Sequence, residues 1–202
     1  MMINNLKKRI EKQELKDYPV ERFEGEVFVY EKEEDINGAC DYLSNYKYLG
    51  FDTESKPTFV KGKTNINGIA LIQLSTDEKA FLFRLNKFDL PENLKRILEN
   101  PNILKVGSAT HGDIPVIAKL YKKGDFHPKG FVDIQVVGKK YGIETVGLTK
   151  LTAILLGFRI SKRQQLSNWE ADKLTEAQIN YAATDAWACY KLYENFIKRG
   201  MV

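Results

Sequence analysis

Between residues 48 and 85 the chain carries three apolar segments in quick succession: YLGFD at 48–52, GIALIQLS at 68–75 and AFLFRL at 80–85. The last two are separated only by Thr76, Asp77, Glu78 and Lys79, a polar link of hairpin length. Together they predict an antiparallel meander. Upstream, residues 27–30 read as a short strand. Residues 33–44 read as a helix, with Ile36, Cys40 and Leu43 on one side. Downstream the pattern alternates. Residues 91–98 are helical and stopped by Asn100 and Pro101, 103–107 are a strand, and 113–121 are a helix. Residues 131–135 are a strand, and 148–156 are a helix closed by Gly157. The last helix is announced by Thr175 with Gln178 three residues on, a capping box, and runs to about Arg199. A meander, then β/α units, then a long helix give an α/β fold with a mixed sheet of five to six strands and helices on both faces.

Composition narrows the class further. Of 202 residues, 43% are hydrophobic and 29% charged, enough for a core and too apolar for a disordered chain. Two cysteines, Cys40 and Cys189, exclude a disulfide framework, and with two histidines they make no zinc signature. They point to a reducing, cytoplasmic setting. No apolar run reaches the roughly 18 residues of a membrane span, and the start has no secretory h-region. Ile3, Leu6 and Ile10 follow helical spacing, so residues 1–25 are expected to form a helical extension to a domain over 26–202. The net charge of +4 permits a polyanionic partner without requiring one.

Three acidic positions conflict with their surroundings. The strand at 48–52 runs straight into Asp52-Thr53-Glu54, and positions two apart on a strand share a face. Two carboxylates side by side repel unless a cation intervenes; a strand ending in water explains the pair equally well. Asp185 sits among Ala182, Ala183, Ala186 and Ala188 inside the last helix, a poor place for an unpartnered acid. Tyr181, four residues earlier, shares its helix face, and a Tyr–Asp bond pinning the helix is the plainer account of that pair. Asp113 opens a helix just past a strand end, where α/β sheets place sites, although capping alone would justify it. Taken together, Asp52, Glu54, Asp113 and Asp185 form an all-oxygen set suited to two Mg²⁺ or Mn²⁺ ions, which could clamp a phosphodiester.

The segments YLGFDTES, KGKTNINGIALIQLST, LKVGSATHGD and LSNWEADKLTEAQINYAATDAWACYKLY resemble, in order, the DEDDy branch of the DnaQ-like 3′–5′ exonucleases. That branch includes the exonuclease domain of the Werner syndrome protein and the catalytic domain of ribonuclease D, and the likeness runs from about Glu26 to Arg199. It implies a ribonuclease H-like fold and hydrolysis of the 3′-terminal phosphodiester of a nucleic acid to nucleoside 5′-monophosphates by two divalent ions. It implies Asp52, Glu54, Asp113 and Asp185 as metal ligands and Tyr181 as the tyrosine of the third motif. A nucleic acid with a free 3′ end is the expected partner, with a separate helicase or repair protein as a further one. The helicase and RNA-binding domains of those relatives lie outside the 202 residues, so substrate choice set by them is not implied. His111, two residues before Asp113, matches no position of the family pattern and reads as structural.

Phe59, Lys61 and Lys63, in the loop after the first motif, and Lys162 and Arg163, ahead of the last helix, are the candidate nucleic-acid contacts. The competing reading is a catalytically inactive binding module with the same fold, which would be expected to have lost some of the four carboxylates. A two-carboxylate glycosidase would leave Asp113 and the Tyr181–Asp185 pair unexplained.

Overall fold

In the computed structural model, which describes residues 6–57 and 68–202, six strands join in one sheet. They are β1 (Glu26–Tyr30), β2 (Tyr48–Ser55), β3 (Ile69–Ser75), β4 (Lys79–Phe83), β5 (Leu104–Gly107) and β6 (Phe131–Asp133). Their order across the sheet is β1-β4-β3-β2-β5-β6. The meander β2–β3–β4 is antiparallel as the short link predicts, while β5 and β6 run parallel to β2 on its other side. At the far edge β1 pairs in parallel with β4, from Glu26 opposite Lys79 to Tyr30 opposite Phe83.

Among the described residues six α-helices cover the sheet: α1 (Asn37–Leu43), α2 (Glu92–Glu99), α3 (Ile114–Ile117), α4 (Ile134–Lys140), α5 (Leu148–Leu156) and α6 (Glu176–Lys198). Side chains alternate along β2, and that alternation divides the molecule. Leu49 and Phe51 bury against Leu43 of α1 and Leu94 and Leu98 of α2. On the opposite face, α4, α5 and α6 close over Val106 with Ile134, Leu151, Leu192 and Phe196. Each such side chain removed from water stabilises the fold by about 1.5–3 kcal/mol before entropy is counted.

Gly50 sits on the α6 face of β2. A methyl group built there would stand 2.0 Å from the carbonyl oxygen of Ala186. Only glycine lets the backbone of α6 lie this close to the strand. The fully buried Ala182, Ala183 and Ala186 keep the helix side of the contact thin. Strand and helix thus meet backbone to backbone two residues before Asp52 and one residue after Asp185.

Three expectations change. Among the described residues of the N-terminal extension there is no α-helix, only a single 3-10 turn, Glu14–Asp17. Ile10 is wholly buried, and the segment runs as a strap whose polar groups pair with loops of the domain. Ile10 N–H donates to Thr145 Oγ1 at 3.2 Å, and Glu144 N–H donates to the Lys8 carbonyl at 2.7 Å. Such pairing removes the need for a helix to satisfy the backbone. The helix expected over 113–121 is only the one turn of α3, preceded by the 3-10 turn Thr110–Gly112. The strand expected to Gln135 stops at Asp133, whose side chain accepts from Gln135 N–H and so starts α4 two residues early.

Candidate active site

The C-terminal ends of the parallel strands β2, β5 and β6 open onto a cleft of about 310 Å³, the position at which α/β sheets bind ligands. Asp52 and Glu54 enter it from β2, two residues apart on one face. Asp185 enters from α6, fixed by the Gly50 contact and by the capping box: Gln178 N–H donates to Thr175 Oγ1 at 3.3 Å and Thr175 N–H to Gln178 Oε1 at 3.0 Å. Asp52, Glu54 and Asp185 each place a carboxylate oxygen within 4.8 Å of the other two. Asp185 is buried, and its Oδ1 has no hydrogen-bond partner among the described residues.

The electrostatics follow from this crowding. Burial, then the charge of Asp185, holds the Asp52 carboxyl well above the usual carboxylate range. Burial and then Asp52 push Glu54 up to about 10. Burial raises Asp185 to about 7, against the downward pull of the Tyr181 hydroxyl and the Lys162 ammonium. Burial and the Asp185 charge raise the Tyr181 phenol, which therefore keeps its proton at neutral pH.

Asp113 stands outside the tight trio, yet near enough for its charge to raise both Asp52 and Glu54. It does not cap its helix: no side-chain bond to the backbone of α3 is formed. Burial lifts it to about 6, with the Thr53 hydroxyl pulling the other way. The capping account of this residue therefore fails.

Of the residues expected to meet nucleic acid, Lys162 lines the cleft. Arg163, the next residue, instead lines a neighbouring cleft of about 430 Å³ with Glu21 and Glu176. Phe59, Lys61 and Lys63 lie outside the described residues. Trp169 is fully buried against Tyr181, ring centroids 5.9 Å apart, so it supports the tyrosine and is closed to bases.

Sequence reasoning missed the far wall of the cleft. Ala109 follows β5 with φ 60°, a left-handed conformation uncommon for alanine. Its N–H donates to Asp133 Oδ1 at 3.1 Å, the same oxygen that caps α4. Gln135 Nε2 donates to Ser108 Oγ at 2.9 Å. Ser108, Ala109 and Gln135 all face the cleft. The only local signal was Asp133 at a strand–helix junction.

The donor set is all oxygen, clustered, and includes a buried unpartnered carboxylate atom. That fits a hard divalent cation. Over 158 residues the chain is 36% identical to the bifunctional 3′-5′ exonuclease/ATP-dependent helicase WRN of Mus musculus, covering 75% of this chain and 11% of that protein. It is 32% identical over 169 residues to ribonuclease D of Gluconacetobacter diazotrophicus, covering 82% of this chain and 41% of the relative. The chain thus spans less than half the length of either. The solved EXO domain of Aedes aegypti Nibbler superposes with a TM-score of 0.76 at 22% identity, covering 89% of this chain and 92% of that one, and so shares the fold. With residues 27–200 matching the family described as 3′-5′ exonuclease, the chain belongs to the 3′-5′ exonuclease family.

Proposed function

We propose that this chain shortens a nucleic-acid strand from its 3′ end by hydrolysis, releasing nucleoside 5′-monophosphates, with Asp52, Glu54, Asp113 and Asp185 holding two divalent ions, Mg²⁺ or Mn²⁺. The observation that carries the reading is the trio of carboxylates within 4.8 Å with a buried, unpartnered Asp185 Oδ1 among them. Unneeded, that arrangement would only cost stability.

When bound, the ions supply an acidified water and stabilise the departing oxygen. The remaining work falls to the chain. Water adds to phosphorus, the bond from phosphorus to the 3′ oxygen breaks, and the proton lost by water ends on that oxygen. Tyr181, kept protonated by its surroundings with its hydroxyl donating to Asp185, accepts a hydrogen bond that orients the attacking water; it is not the base. Lys162 offsets negative charge at the cleft wall, where a phosphate enters. The backbone N–H of Ala109 is already committed to Asp133, so this wall is rigid before substrate arrives.

Residues 1–25 are read as an extension to a domain over 26–202. Two unpaired, buried cysteines support a cytoplasmic setting, and among the described residues no helix is long and apolar enough to cross a membrane. The helicase joined to the exonuclease in the mouse relative supports a separate helicase or repair partner here. The test is direct. End-labelled single-stranded DNA, recessed duplex and RNA are incubated with Mg²⁺, Mn²⁺ or chelator. A ladder shortening from the 3′ end only with metal is expected; intact substrate in every lane that is nevertheless bound would establish the inactive binding module.

A further inference from the structure

Beside the acidic cleft lies a second, larger depression of about 670 Å³. Its two walls come from distant parts of the chain. One is the turn of the N-terminal strap, with Lys12 and Lys16; the other is the start of α5 with Lys150 and the segment carrying Arg159 and Lys162. Five cations face this groove and no acid does. Lys12, Lys16 and Lys150 form no ion pair among the described residues, although acids are frequent elsewhere in the strap. The floor between them is apolar, from Leu15, Val146 and Ile160.

The strap wall is built into the fold. It is tied down on both sides of the turn. Before it, Lys8 and Ile10 pair with Glu144 and Thr145. After it, Arg159 N–H donates to the Pro19 carbonyl at 2.8 Å and Glu21 N–H to the Arg159 carbonyl at 3.0 Å, with Arg159 Nε donating to the Tyr18 carbonyl at 3.2 Å. Lys12 and Lys16 are therefore carried on a braced segment. The groove is also continuous with the cleft: Gly147, Thr149, Ile160 and Lys162 line both.

We propose that this groove carries the backbone of a single nucleic-acid strand whose 3′ end lies among Asp52, Glu54 and Asp185, and that the N-terminal strap is part of the substrate-binding surface. The occupant rests on the exonuclease reading above and on charge complementarity. Unpaired cations on two walls match a polyanion. The apolar floor matches the sugars and bases that only a single strand presents, since a duplex offers phosphates outward and stacks its bases inside. Lys162, at the junction, hands the strand from groove to cleft.

The test measures binding of a 5′-fluorescein-labelled 12-nucleotide single strand in Ca²⁺ buffer, by anisotropy over a range of salt. Lys12→Ala with Lys16→Ala and Lys150→Ala should weaken binding by about tenfold at low salt and lower the slope of log K against log salt by about 2, near 0.7 per lost contact. Charge reversal confined to the strap, Lys12→Glu with Lys16→Glu, should weaken it at least as much. A charge-matched control on surface outside the groove, Lys122→Ala with Lys123→Ala and Lys198→Ala, should leave the slope as in wild type. Melting curves confirm that each variant is folded. An unchanged slope in the groove variant, or an equal loss in the control, overturns the proposal. Equal competition by a blunt duplex of the same sequence overturns the single-strand assignment. If the groove variant loses affinity as stated but wild type releases no nucleotide with Mg²⁺ or Mn²⁺, the groove stands and the catalytic reading falls.

Discussion

Two of the places where the described residues bury charge treat it in opposite ways. Lys105, on β5, is fully enclosed, and its ammonium donates to three carbonyls: Ile97 at 2.9 Å, Asn100 at 2.8 Å and Ile103 at 2.6 Å. Burial lowers its pKa to about 7, yet every donor has an acceptor, and the group ties the end of α2 to the sheet. On the other face of the sheet, Asp52, Glu54 and Asp185 crowd together with a carboxylate oxygen left unpartnered. One buried charge is finished and serves architecture. The other cluster is unfinished and waits for something from solution.

The sharpest way to break that contrast is to neutralise an acid. Asp52→Asn or Asp185→Asn should lower kcat by about 10⁴-fold or more, the scale on which one member of a catalytic unit is lost. The same variants should melt at or above the wild-type temperature in chelator, because one source of repulsion has gone. A variant that melts lower and stays active would put these acids in the same class as Lys105.

Tyr181→Phe comes next. It keeps the ring against Trp169 and removes one hydroxyl. If that hydroxyl orients the water, kcat should fall by about 10²–10⁴-fold with KM little changed. An unaltered kcat would reduce the Tyr181–Asp185 contact to helix packing.

The third measurement is stability against pH without metal. Asp113 and Asp185 are raised to about 6 and about 7 from ordinary values near 4. A raised acid stabilises the fold below its unfolded pKa, and that stability is lost as pH climbs through the folded one. Melting temperature in chelator should therefore drop between about pH 4 and pH 8, on the order of 10 °C for a shift of about three units. Saturating Mg²⁺ or Mn²⁺ should remove most of that drop. A chelated protein whose melting point rises over this range would contradict the unfinished-charge account.

Lys105→Met should act only on stability. Three carbonyls lose their donor, at a cost of about 3 kcal/mol. That lowers the melting point by roughly 6–12 °C. Activity per folded molecule should hold, which is what separates a finished charge from an unfinished one.

This contrast also explains what was legible in the sequence. Asp52, Glu54 and Asp185 stood out because an acid in an apolar setting violates a local rule, and such violations can be seen without coordinates. The meander and the Thr175–Gln178 capping box were legible for the same reason of short range. The parallel pairing of β1 with β4 was not, since nothing near Glu26 points to Lys79, 53 positions away. The N-terminal strap misled because its described residues, from Leu6 on, satisfy their backbone on a distant loop, with Ile10 buried and its N–H on Thr145, instead of in a helix. The left-handed Ala109 left no mark, because the sequence carries alanine where glycine would have signalled the turn. Lys105 was silent as well: a lysine in an otherwise apolar strand reads as solvent-facing until the three carbonyls are seen.

The capping box has a consequence for how the candidate site could come apart. Tyr181 and Asp185 lie within the first three turns of α6, while the rest of that 23-residue helix anchors the core. Fraying from the amino end would carry both side chains out of the cleft with the sheet intact. Thr175 and Gln178 therefore set an opening equilibrium for the site that is separate from global unfolding. Losing the cap, at about 1 kcal/mol, would raise the frayed population roughly fivefold. Amide hydrogen exchange at residues 178–185 would register that change before any melting curve did.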